Sequence, residues 1–587
     1  MPSYDTVVSR RSVLSLTGAA GAAALAGCTG NGDEDGAQDP DQEIVDHADV
    51  YFQTADGEHQ VTDFQYNPHI WGGYSHIQFA VYDSWAQYII DNDEYVPHFV
   101  EEWEFDDGVA RLHIRNDYTW GDGSSITADD LVMQLHLGEA LGDDLYEFTD
   151  PEDIEAVDDT TVEIQYDEGT NREMLRHIIL DRSLDHPPAD WEDVYSDWQD
   201  GEDIDVFDVD IPDPTPSGPV DLGDVGEQTA QFDVRDDHPL AENYNFNGYE
   251  IGHRSGNEAF HQSFASQELD GVHSLFAGPG AQSQFPDTLE EVLIPGGFGM
   301  GIVFNHDHEH YQERAVRQAF GYAIDTEAAI ATVGADTKQE FPVQSGLTVP
   351  ATEDWLDVDE YKSYDQDLDM VETLLQGAGF ERNDDDVWER DGSVLEAGLQ
   401  GPQGWGDWVT PLSTIVDQLN QAGFEATLDS IDQGVWFENL ATGDFGVAAY
   451  GHTEGGNAAM NYPFFSFSWK FENREHADPN FFNYPEDEAV TVPDGNGGEI
   501  SVNPREELNT IANTNDDATI QESVERLARL FNEDLPMYLA QEKFEQSFID
   551  RDGWEFPSQE ESDHFQAFWP LYWLPKQDEL KATSAAE

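Results

Sequence analysis

The side chains with the strongest potential for chemistry form a short histidine run. His306, His308 and His310 alternate with other residues between a predicted strand and a predicted helix. Three imidazoles can bind a borderline divalent metal, but neutral histidine is also common on solvated loops. His308 and Glu309 begin the zinc-protease pattern HExxH, and Gln312 stands where its second histidine must be. The pattern therefore excludes a zinc-protease site, and we expect no bound metal and no cofactor.

Nucleophiles for covalent catalysis are scarce. The sequence contains no GxSxG motif and so has no nucleophile elbow. Its single thiol, Cys28, ends the tetrapeptide Leu25-Ala26-Gly27-Cys28. That tetrapeptide resembles a lipoprotein box, in which the cysteine takes a lipid and becomes the mature N-terminus. We therefore predict that the protein is not an enzyme and that Cys28 is its lipidation site.

The residues before Cys28 have the features of an export signal. Arg10 and Arg11 lie in a segment that resembles a twin-arginine signal. The apolar run that follows is too short to span a bilayer of about 30 Å. An ordinary cleaved signal with a chance cysteine is the alternative. We assign residues 1–28 to the signal and 29–43, rich in Gly, Asp and Pro, to an acidic flexible linker.

The charge of the chain is extreme. Its 24 basic and 124 acidic side chains give a formal net charge of −100, spread along the sequence. Such a charge destabilises a compact state by self-repulsion unless salt screens it, which indicates a halophile's protein. The hydrophobic fraction of 39% excludes a disordered acidic chain. Nucleic acid and anionic membrane surfaces are excluded as partners, because both carry negative charge.

Local patterns predict an α/β chain. Asp107-Gly108 predicts a hairpin turn, and Thr127 with Asp130 predicts a helix-capping box. An aromatic-rich helix is predicted through Tyr82, Trp85 and Tyr88. The later half alternates between the two element types, with predicted helices over 368–378, 408–421, 435–441 and 520–531 and predicted strands over 394–399, 424–428 and 445–450.

One continuous stretch carries a family resemblance. The run WEFDDGVARLHIRNDYTWGDGSSITADDLVMQ, residues 103–134, resembles the signature of the family 5 extracellular solute-binding proteins. These are peptide, oligosaccharide and nickel receptors of ABC importers. Residues 313–325 (ERAVRQAFGYAID) and 267–270 (QELD) resemble later family segments in the same order. With the export signal, the chain resembles the haloarchaeal twin-arginine lipoprotein type.

The resemblance implies a fold and a domain plan. It implies a two-lobed periplasmic-binding-protein-like α/β fold, type II, of the large cluster with an extra subdomain. Lobe I is expected over 44–300 plus 539–577, with the subdomain at about 82–200, and lobe II over 301–536. The crossings near 298–304 and 537–544 would be the hinge. Residues 578–587 would be a polar tail.

The resemblance also implies ligand-binding positions in a cleft between the lobes. Gly451 and His452, with Tyr450 before them, match the family's cleft strand. Glu454 stands close to the place where peptide receptors carry an aspartate that binds the peptide's amino group, and this departure leaves the peptide anchor open. The full set of expected ligand-binding residues is Asn67, Trp71, Tyr74, Met133, Trp405, Tyr450, Gly451, His452, Glu454, Asn457 and Trp569.

The function expected from this resemblance is solute capture for import. The receptor would sit on the extracytoplasmic face of the cytoplasmic membrane, held only by its lipid, and would deliver a peptide to an ABC permease and its ATPase. An oligosaccharide is the alternative solute. A sensory lipoprotein that passes its solute signal to a membrane transducer is the alternative role.

Overall fold

The fold was analysed in a computed structural model. It describes residues 50–57, 59–70, 76–90, 94–202, 204–453, 461–471, 482–485, 487–566, 569–584 and 586. The predicted export signal, Cys28 and the acidic linker lie outside the described residues. No helix within the described ranges is long and apolar enough to cross a membrane.

The described strands, in chain order, are β1 Tyr51–Asp56, β2 Ala86–Ile89, β3 Glu94–Pro97, β4 Val100–Asp106, β5 Val109–Ile114, β6 Ile154–Asp158, β7 Thr161–Gln165, β8 Val220–Val225, β9 Thr229–Val234, β10 Gly248–His253, β11 Gly271–Val272, β12 Leu289–Phe304, β13 Lys338–Gln339, β14 Glu381–Arg382, β15 Trp388–Arg390, β16 Ser393–Val394, β17 Glu396–Pro402, β18 Glu425–Ile431, β19 Val447–Gly451, β20 Val490–Pro493, β21 Glu499–Val502, β22 Met537–Asp550, β23 Trp554–Glu555 and β24 Lys581–Ala582.

The described α-helices, in chain order, are α1 Gln78–Val81, α2 Ala128–Glu139, α3 Arg172–Leu180, α4 Pro188–Gln199, α5 Asn257–Ala265, α6 Pro279–Gln282, α7 Arg314–Tyr322, α8 Thr326–Ile330, α9 Val349–Trp355, α10 Leu368–Gly377, α11 Gly406–Gln421, α12 Gln433–Thr442, α13 Pro463–Phe471, α14 Pro504–Ala512, α15 Asp517–Asp534 and α16 Pro570–Lys576.

The chain divides into two compact units. The terminal unit comprises the described residues up to Leu275, then Ala281–Pro295 and those from Glu545 onward. The central unit comprises Phe276–Gly280 and Gly296–Phe544. Strands β12 and β22 each contribute residues to both units, because the division falls within them.

The terminal unit contains two four-stranded sheets, ordered β1-β10-β9-β8 and β4-β5-β7-β6. The predicted hairpin is confirmed, since β4 and β5 pair antiparallel from Val100 with Ile114 to Asp106 with Val109. Gly108 turns this hairpin with φ of +82°, a conformation that glycine adopts without a steric penalty. The predicted capping box of α2 is confirmed too, since the Thr127 N–H donates to Asp130 Oδ2 at 2.8 Å.

A buried ionic cluster ties the C-terminal helix into the terminal unit. Lys576 Nζ, on α16, donates to Asp83 Oδ1 at 2.7 Å and to the Phe79 carbonyl oxygen at 2.9 Å. His98 Nε2 lies 2.7 Å from the same carboxylate oxygen. Burial opposes ionisation of Asp83, yet the His98 and Lys576 charges hold its pKa well below the usual range.

The central unit is built on a mixed sheet. Its strands follow the order β22-β12-β19-β17-β18, and β13 pairs with β22. Strands β17 and β18 run parallel in register from Glu396 with Glu425 to Pro402 with Ile431. Strand β19 is parallel to β17 and antiparallel to β12. The predicted alternation of helix and strand in the later half is confirmed, because α11 and α12 connect these parallel strands.

The prediction of one aromatic helix through Tyr82, Trp85 and Tyr88 is wrong. Helix α1 ends at Val81, and residues 86–89 form β2, which pairs antiparallel with β3. All four β2 residues are buried, so the aromatic spacing reflects a strand with two covered faces. Periodicity cannot distinguish such a strand from a buried helical segment.

Candidate functional site

The candidate site lies at the carboxyl edge of the parallel strands in the central unit. Strands β17, β18 and β19 end at Pro402, Ile431 and Gly451, and short connections lead from β17 to α11 and from β18 to α12. In α/β sheets, ligands bind outside the carboxyl ends of such strands. Helix α11 begins just beyond this edge, with Asp407 in its first turn, where a negative charge suits the helix dipole.

Three tryptophans pack together at this edge. Trp405 precedes α11, Trp408 lies in its first turn, and Trp436 lies in the first turn of α12. The Trp405 ring is 5.0 Å from Trp408 and 5.4 Å from Trp436, centroid to centroid, in edge-to-face contact. Trp405 is 5% exposed and the other two are fully buried. The cluster thus forms an apolar wall that holds the start of both helices.

The end of β19 brings Tyr450, Gly451 and His452 together. The Gly451 carbonyl oxygen accepts a hydrogen bond from Trp469 Nε1 on α13 at 3.1 Å. The Tyr450 ring lies nearly parallel to the Trp469 ring, 6.0 Å away with an interplanar angle of 10°. The His452 N–H donates to the Gly299 carbonyl oxygen on β12 at 3.1 Å. These contacts fix the strand end on both sides.

Three buried titratable side chains meet beside this strand end. His452 Nε2 lies 3.8 Å from Glu542 Oε2 on β22, and both side chains are fully buried. The second Glu542 partner is the Val349 N–H, which donates to Oε2 at 2.8 Å. Lys470 Nζ, on α13, donates to the carbonyl oxygen and the hydroxyl of Ser466. We call these three residues the His452–Glu542–Lys470 group.

Burial dominates the electrostatics of this group. It raises the pKa of Glu542 to about 8, against the opposing effects of the Val349 N–H and the Lys470 charge. Burial lowers the pKa of Lys470 to about 7, although Glu542 favours the ammonium form. Burial, together with the Lys470 charge, holds the pKa of His452 well below its usual range. His452 is therefore a neutral imidazole.

A second polar pair lies close by on the same sheet. Lys338 Nζ is 3.6 Å from Asp407 Oδ2, and Gln541 Nε2 donates to the Asp407 carbonyl oxygen at 3.1 Å. Lys338 faces Lys543 directly across the β13 and β22 pairing. The start of α11 is therefore joined to β13 and β22 through Asp407.

The terminal unit holds a different aromatic cluster around Trp569. Its ring stacks on Phe79 with centroids 4.4 Å apart and an interplanar angle of 17°. The rings of His76 and His273 lie 4.3 Å and 4.1 Å from it. Trp569 is partly exposed and has φ of +66°, a left-handed conformation that is rare for a bulky residue. Such strain is often found at functional positions.

The side chains of two other expected ligand-binding residues are engaged within the terminal unit. The Asn67 side-chain amide donates to the carbonyl oxygens of Val206 and Val209, each at 2.8 Å, and its oxygen accepts from the His69 N–H. Met133 is buried within α2, 4% exposed. Trp71, Tyr74, Glu454 and Asn457 lie outside the described residues.

The histidine run is dispersed by its hydrogen bonds. His306 Nε2 lies 3.2 Å from the Pro536 carbonyl oxygen, and His310 Nε2 lies 3.1 Å from that of Val394. The His308 ring packs against Tyr311. Among the residues that the structure describes, no group of three His, Cys, Asp or Glu side chains is arranged to hold a metal ion.

A cavity of about 390 Å³ opens in the central unit; none of the three tryptophans lines it, but Phe341, whose ring packs edge-on against His452, does. Polar side chains in its lining form hydrogen bonds with one another or with the backbone. Tyr538 and Thr326 share a hydrogen bond of 2.6 Å, and the Gln344 amide donates to the Leu539 carbonyl oxygen. Burial, together with the acidic residues in the cavity wall, raises the pKa of Glu340. We therefore place the candidate site at the strand edge and not in this cavity.

Glu542 and Lys470 were missed by reasoning from sequence alone. The feature that marks them is scarcity, because the chain has only six lysines among 587 residues. Lys470 is nonetheless 1% exposed. A rare charged residue within an apolar helix sequence, Phe464 to Phe471, is unusual unless it has a partner or a task.

The arrangement is suited to binding a solute. The strand edge combines an apolar aromatic wall with a few polar groups in fixed positions, which is the composition of solute sites. Its members come from α11, α12, α13, β19 and β22, so the chain orders five elements around one edge.

Comparisons with known proteins agree with this architecture. The model of the bacterial extracellular solute-binding proteins, family 5 (middle region), matches residues 94–473, well over half of the chain. No curated protein sequence matches the chain.

Three solved structures illustrate the likeness of fold. A mannohexaose-bound periplasmic oligopeptide-binding protein from Thermotoga maritima has a TM-score of 0.71 at 19% identity, covering 91% of this chain and 98% of that one. AppA from Bacillus subtilis, in complex with a nonapeptide, has a TM-score of 0.67 at 15% identity, covering 92% of this chain and 100% of that one. NikZ from Campylobacter jejuni, in complex with Ni(L-His), has a TM-score of 0.63 at 14% identity, covering 86% of this chain and 94% of that one. The predicted periplasmic-binding-protein-like α/β fold is confirmed.

Proposed function

The chain belongs to the bacterial extracellular solute-binding proteins, family 5, and from this premise we propose that it captures a peptide outside the cell for an ABC importer. The observation that carries the proposal is the strand edge of the central unit. There, the nearly buried Trp405 ring packs in the tryptophan cluster, and β19 ends at Gly451 with His452 directly after it. Peptide binding uses backbone groups of an extended strand and apolar walls for side chains.

An oligosaccharide is the second candidate solute. Sugar rings stack on aromatic faces, and Trp405 is the member of the tryptophan cluster that keeps some exposure, whereas Trp408 and Trp436 are fully buried. One protein of similar fold carries mannohexaose, while another carries a nonapeptide. The two solutes differ in charge and in mass spacing, so they can be told apart directly.

Native mass spectrometry of the protein purified from its host tests the solute class. We expect a population of adducts whose masses match peptides, and tandem fragmentation should yield peptide sequences. Adducts whose masses differ by hexose units would identify the solute as an oligosaccharide instead of a peptide. Protein that carries neither, after purification without unfolding, would count against both candidates.

We also propose that the mature protein is anchored by a lipid on Cys28 and works in concentrated salt. The single thiol of the chain stands at the end of the lipobox-like tetrapeptide, and the net charge of −100 supports a saline environment. Replacing Cys28→Ser should release the protein into the medium, while the wild type stays with the membrane fraction. An unmodified cysteine in the mass of the membrane-bound protein would contradict the anchor.

A further inference from the structure

The His452–Glu542–Lys470 group holds more polar atoms than the protein satisfies. Within the part of the chain that the structure describes, three polar atoms of the group have no hydrogen-bond partner. They are the two ring nitrogens of His452 and Glu542 Oε1. Gln541 Oε1, on the preceding residue of β22, shares this state. A buried polar atom without a partner destabilises the folded protein, because it loses its hydrogen bonds to water and gains none in return. Several of them together indicate that the group has a task other than stability.

The neighbours of the group add little charge. Strand β12 contributes Phe298 and Gly299. The segment before α9 contributes Phe341, whose ring meets His452 edge-on at 5.0 Å, and the first residue of α9 contributes the Val349 N–H. The charged groups that face each other are Lys470 from α13 and Glu542 from β22, with His452 following β19. The nearby Lys338 and Asp407 form their own pair, reached through Gln541. The group is thus a small, nearly isolated titrating unit.

The same group is joined to the end of β19. Lys470 follows Trp469 on α13, and the Trp469 indole N–H holds the Gly451 carbonyl oxygen. His452 follows Gly451 and is held by the Gly299 carbonyl oxygen. A change of charge at Lys470 or Glu542 therefore acts next to both contacts that fix this strand end.

We propose that His452, Glu542 and Lys470 form a buried proton-binding site that is linked to the position of the β19 end. Both Glu542 and Lys470 have pKa values displaced by burial towards neutrality, so the site exchanges its proton near neutral pH. The consequence for solute capture rests on the proposed function: a solute that contacts Gly451 or His452 would bind with a pH-dependent affinity. The proton site itself does not depend on that function.

The small number of lysines makes a direct test possible. Protein labelled with ¹³C at lysine Cε gives six signals, and the signal that the Lys470→Met variant lacks belongs to Lys470. We expect this signal to titrate with a midpoint near pH 7. The Glu542→Gln variant, which keeps the side-chain volume, should move the midpoint to lower pH because Glu542 favours the ammonium form. Lys362→Met serves as the control, since Lys362 is partly exposed and pairs with a different carboxylate, that of Glu533.

Hydrogen exchange reads the link to the strand. In the peptide covering residues 447–453, exchange corrected for its intrinsic pH dependence should change between pH 6 and pH 9 in the wild type and in Lys362→Met. The corrected exchange of this peptide should stay constant with pH in Lys470→Met. If that variant does not fold, the comparison is made with Glu542→Gln, in which the pH of the change in exchange should shift. A Lys470 signal with no midpoint between pH 6 and pH 9 would overturn the proton site. If the corrected exchange of this peptide does not change over the pH range in which Lys470 titrates, the link to the strand end is overturned. Neither result depends on whether a peptide or a sugar binds.

Discussion

Gly299 on β12 and Gln541 on β22 lie so close that a Cβ atom added to Gly299 would come within 2.1 Å of the Gln541 carbonyl oxygen. The backbones therefore approach to a distance that only glycine allows. This approach brings His452 and Glu542 to 3.8 Å from each other, because the Gly299 carbonyl oxygen holds the His452 N–H. The buried proton site thus depends on a residue without a side chain.

Replacing Gly299→Ala should force β12 and β22 apart and destabilise the protein by about 1–3 kcal/mol, the usual cost of an overpacked core. Denaturant unfolding in concentrated salt measures this change. The matched control is Gly377→Ala at the end of α10, where a Cβ meets nothing within 4 Å. The control should be neutral or slightly stabilising. Equal stability of both variants and the wild type would show that the strands are less close than described.

The His452–Glu542–Lys470 group should give stability a minimum near neutral pH. Glu542 has a folded pKa of about 8 against 4.5 when unfolded, so its contribution is lost as pH rises through this interval. Lys470 has a folded pKa of about 7 against 10.5, so its contribution is lost as pH falls through that interval. Both costs overlap between about pH 7 and 8.

The pH profile is isolated by subtraction. The free energy of unfolding of the wild type minus that of the double variant Glu542→Gln, Lys470→Met should be lowest between about pH 7 and 8 and should rise on both sides. The subtraction removes the titration of other groups, provided that both proteins unfold in two states. A difference that stays flat from pH 5 to pH 10 would contradict the displaced pKa values.

Lys576→Met should destabilise the terminal unit by about 3–5 kcal/mol, because it leaves the buried Asp83 carboxylate with one cationic partner fewer. Thermal unfolding followed by near-ultraviolet circular dichroism measures the loss. Lys581→Met is the control, since its ammonium pairs with the exposed Asp578 near the surface. The control should cost about 1 kcal/mol or less. If the two variants lose equal stability, the ionic cluster does not anchor α16.

Stability should fall when salt is removed. At about 0.1 M salt the Debye length is about 10 Å, whereas at 1 M it is about 3 Å. Neighbouring surface carboxylates of a chain with a net charge of −100 therefore repel each other only in dilute salt. The unfolding temperature should drop by tens of degrees between molar and about 0.1 M KCl. Sucrose, which screens no charge, should not restore it. A constant unfolding temperature would contradict the halophilic assignment.

Trp405→Phe should weaken solute binding about tenfold, a change of about 1.4 kcal/mol, because it removes part of the aromatic wall at the strand edge. Calorimetry with the solute identified by mass spectrometry measures the affinity. Trp198→Phe is the control, since Trp198 stacks on His136 and Tyr195 in the terminal unit. Equal affinities of the two variants would remove Trp405 from the site.

The sequence was most informative where local chemistry sets local structure. Gly108 and the Thr127–Asp130 pair specify a turn and a cap through their own backbone bonds, and both are present. Helices α10, α11, α12 and α15 and strands β17, β18 and β19 were also predictable, because each has a clear period. Residues 86–89 were not, since a strand buried on both faces has no period of its own.

The site was only partly predictable, because its members are far apart in the sequence. Trp405, Tyr450, Gly451 and His452 were expected from family resemblance, and the structure brings them to one sheet edge. Glu542 and His452 lie 90 residues apart in the sequence and meet only because β22 and β19 both pair with β12, and no local pattern encodes that contact. The lobe boundaries and the ligand roles of the expected residues remain predictions.

Isothermal titration of the mature protein with a defined nonapeptide and, separately, with mannohexaose, both in concentrated salt, tests the central claim most directly. We expect one-to-one binding of the peptide and no heat from the sugar. Binding of mannohexaose alone would contradict the peptide assignment. Binding of neither, by protein first shown by mass spectrometry to carry no resident solute, would contradict capture of either class.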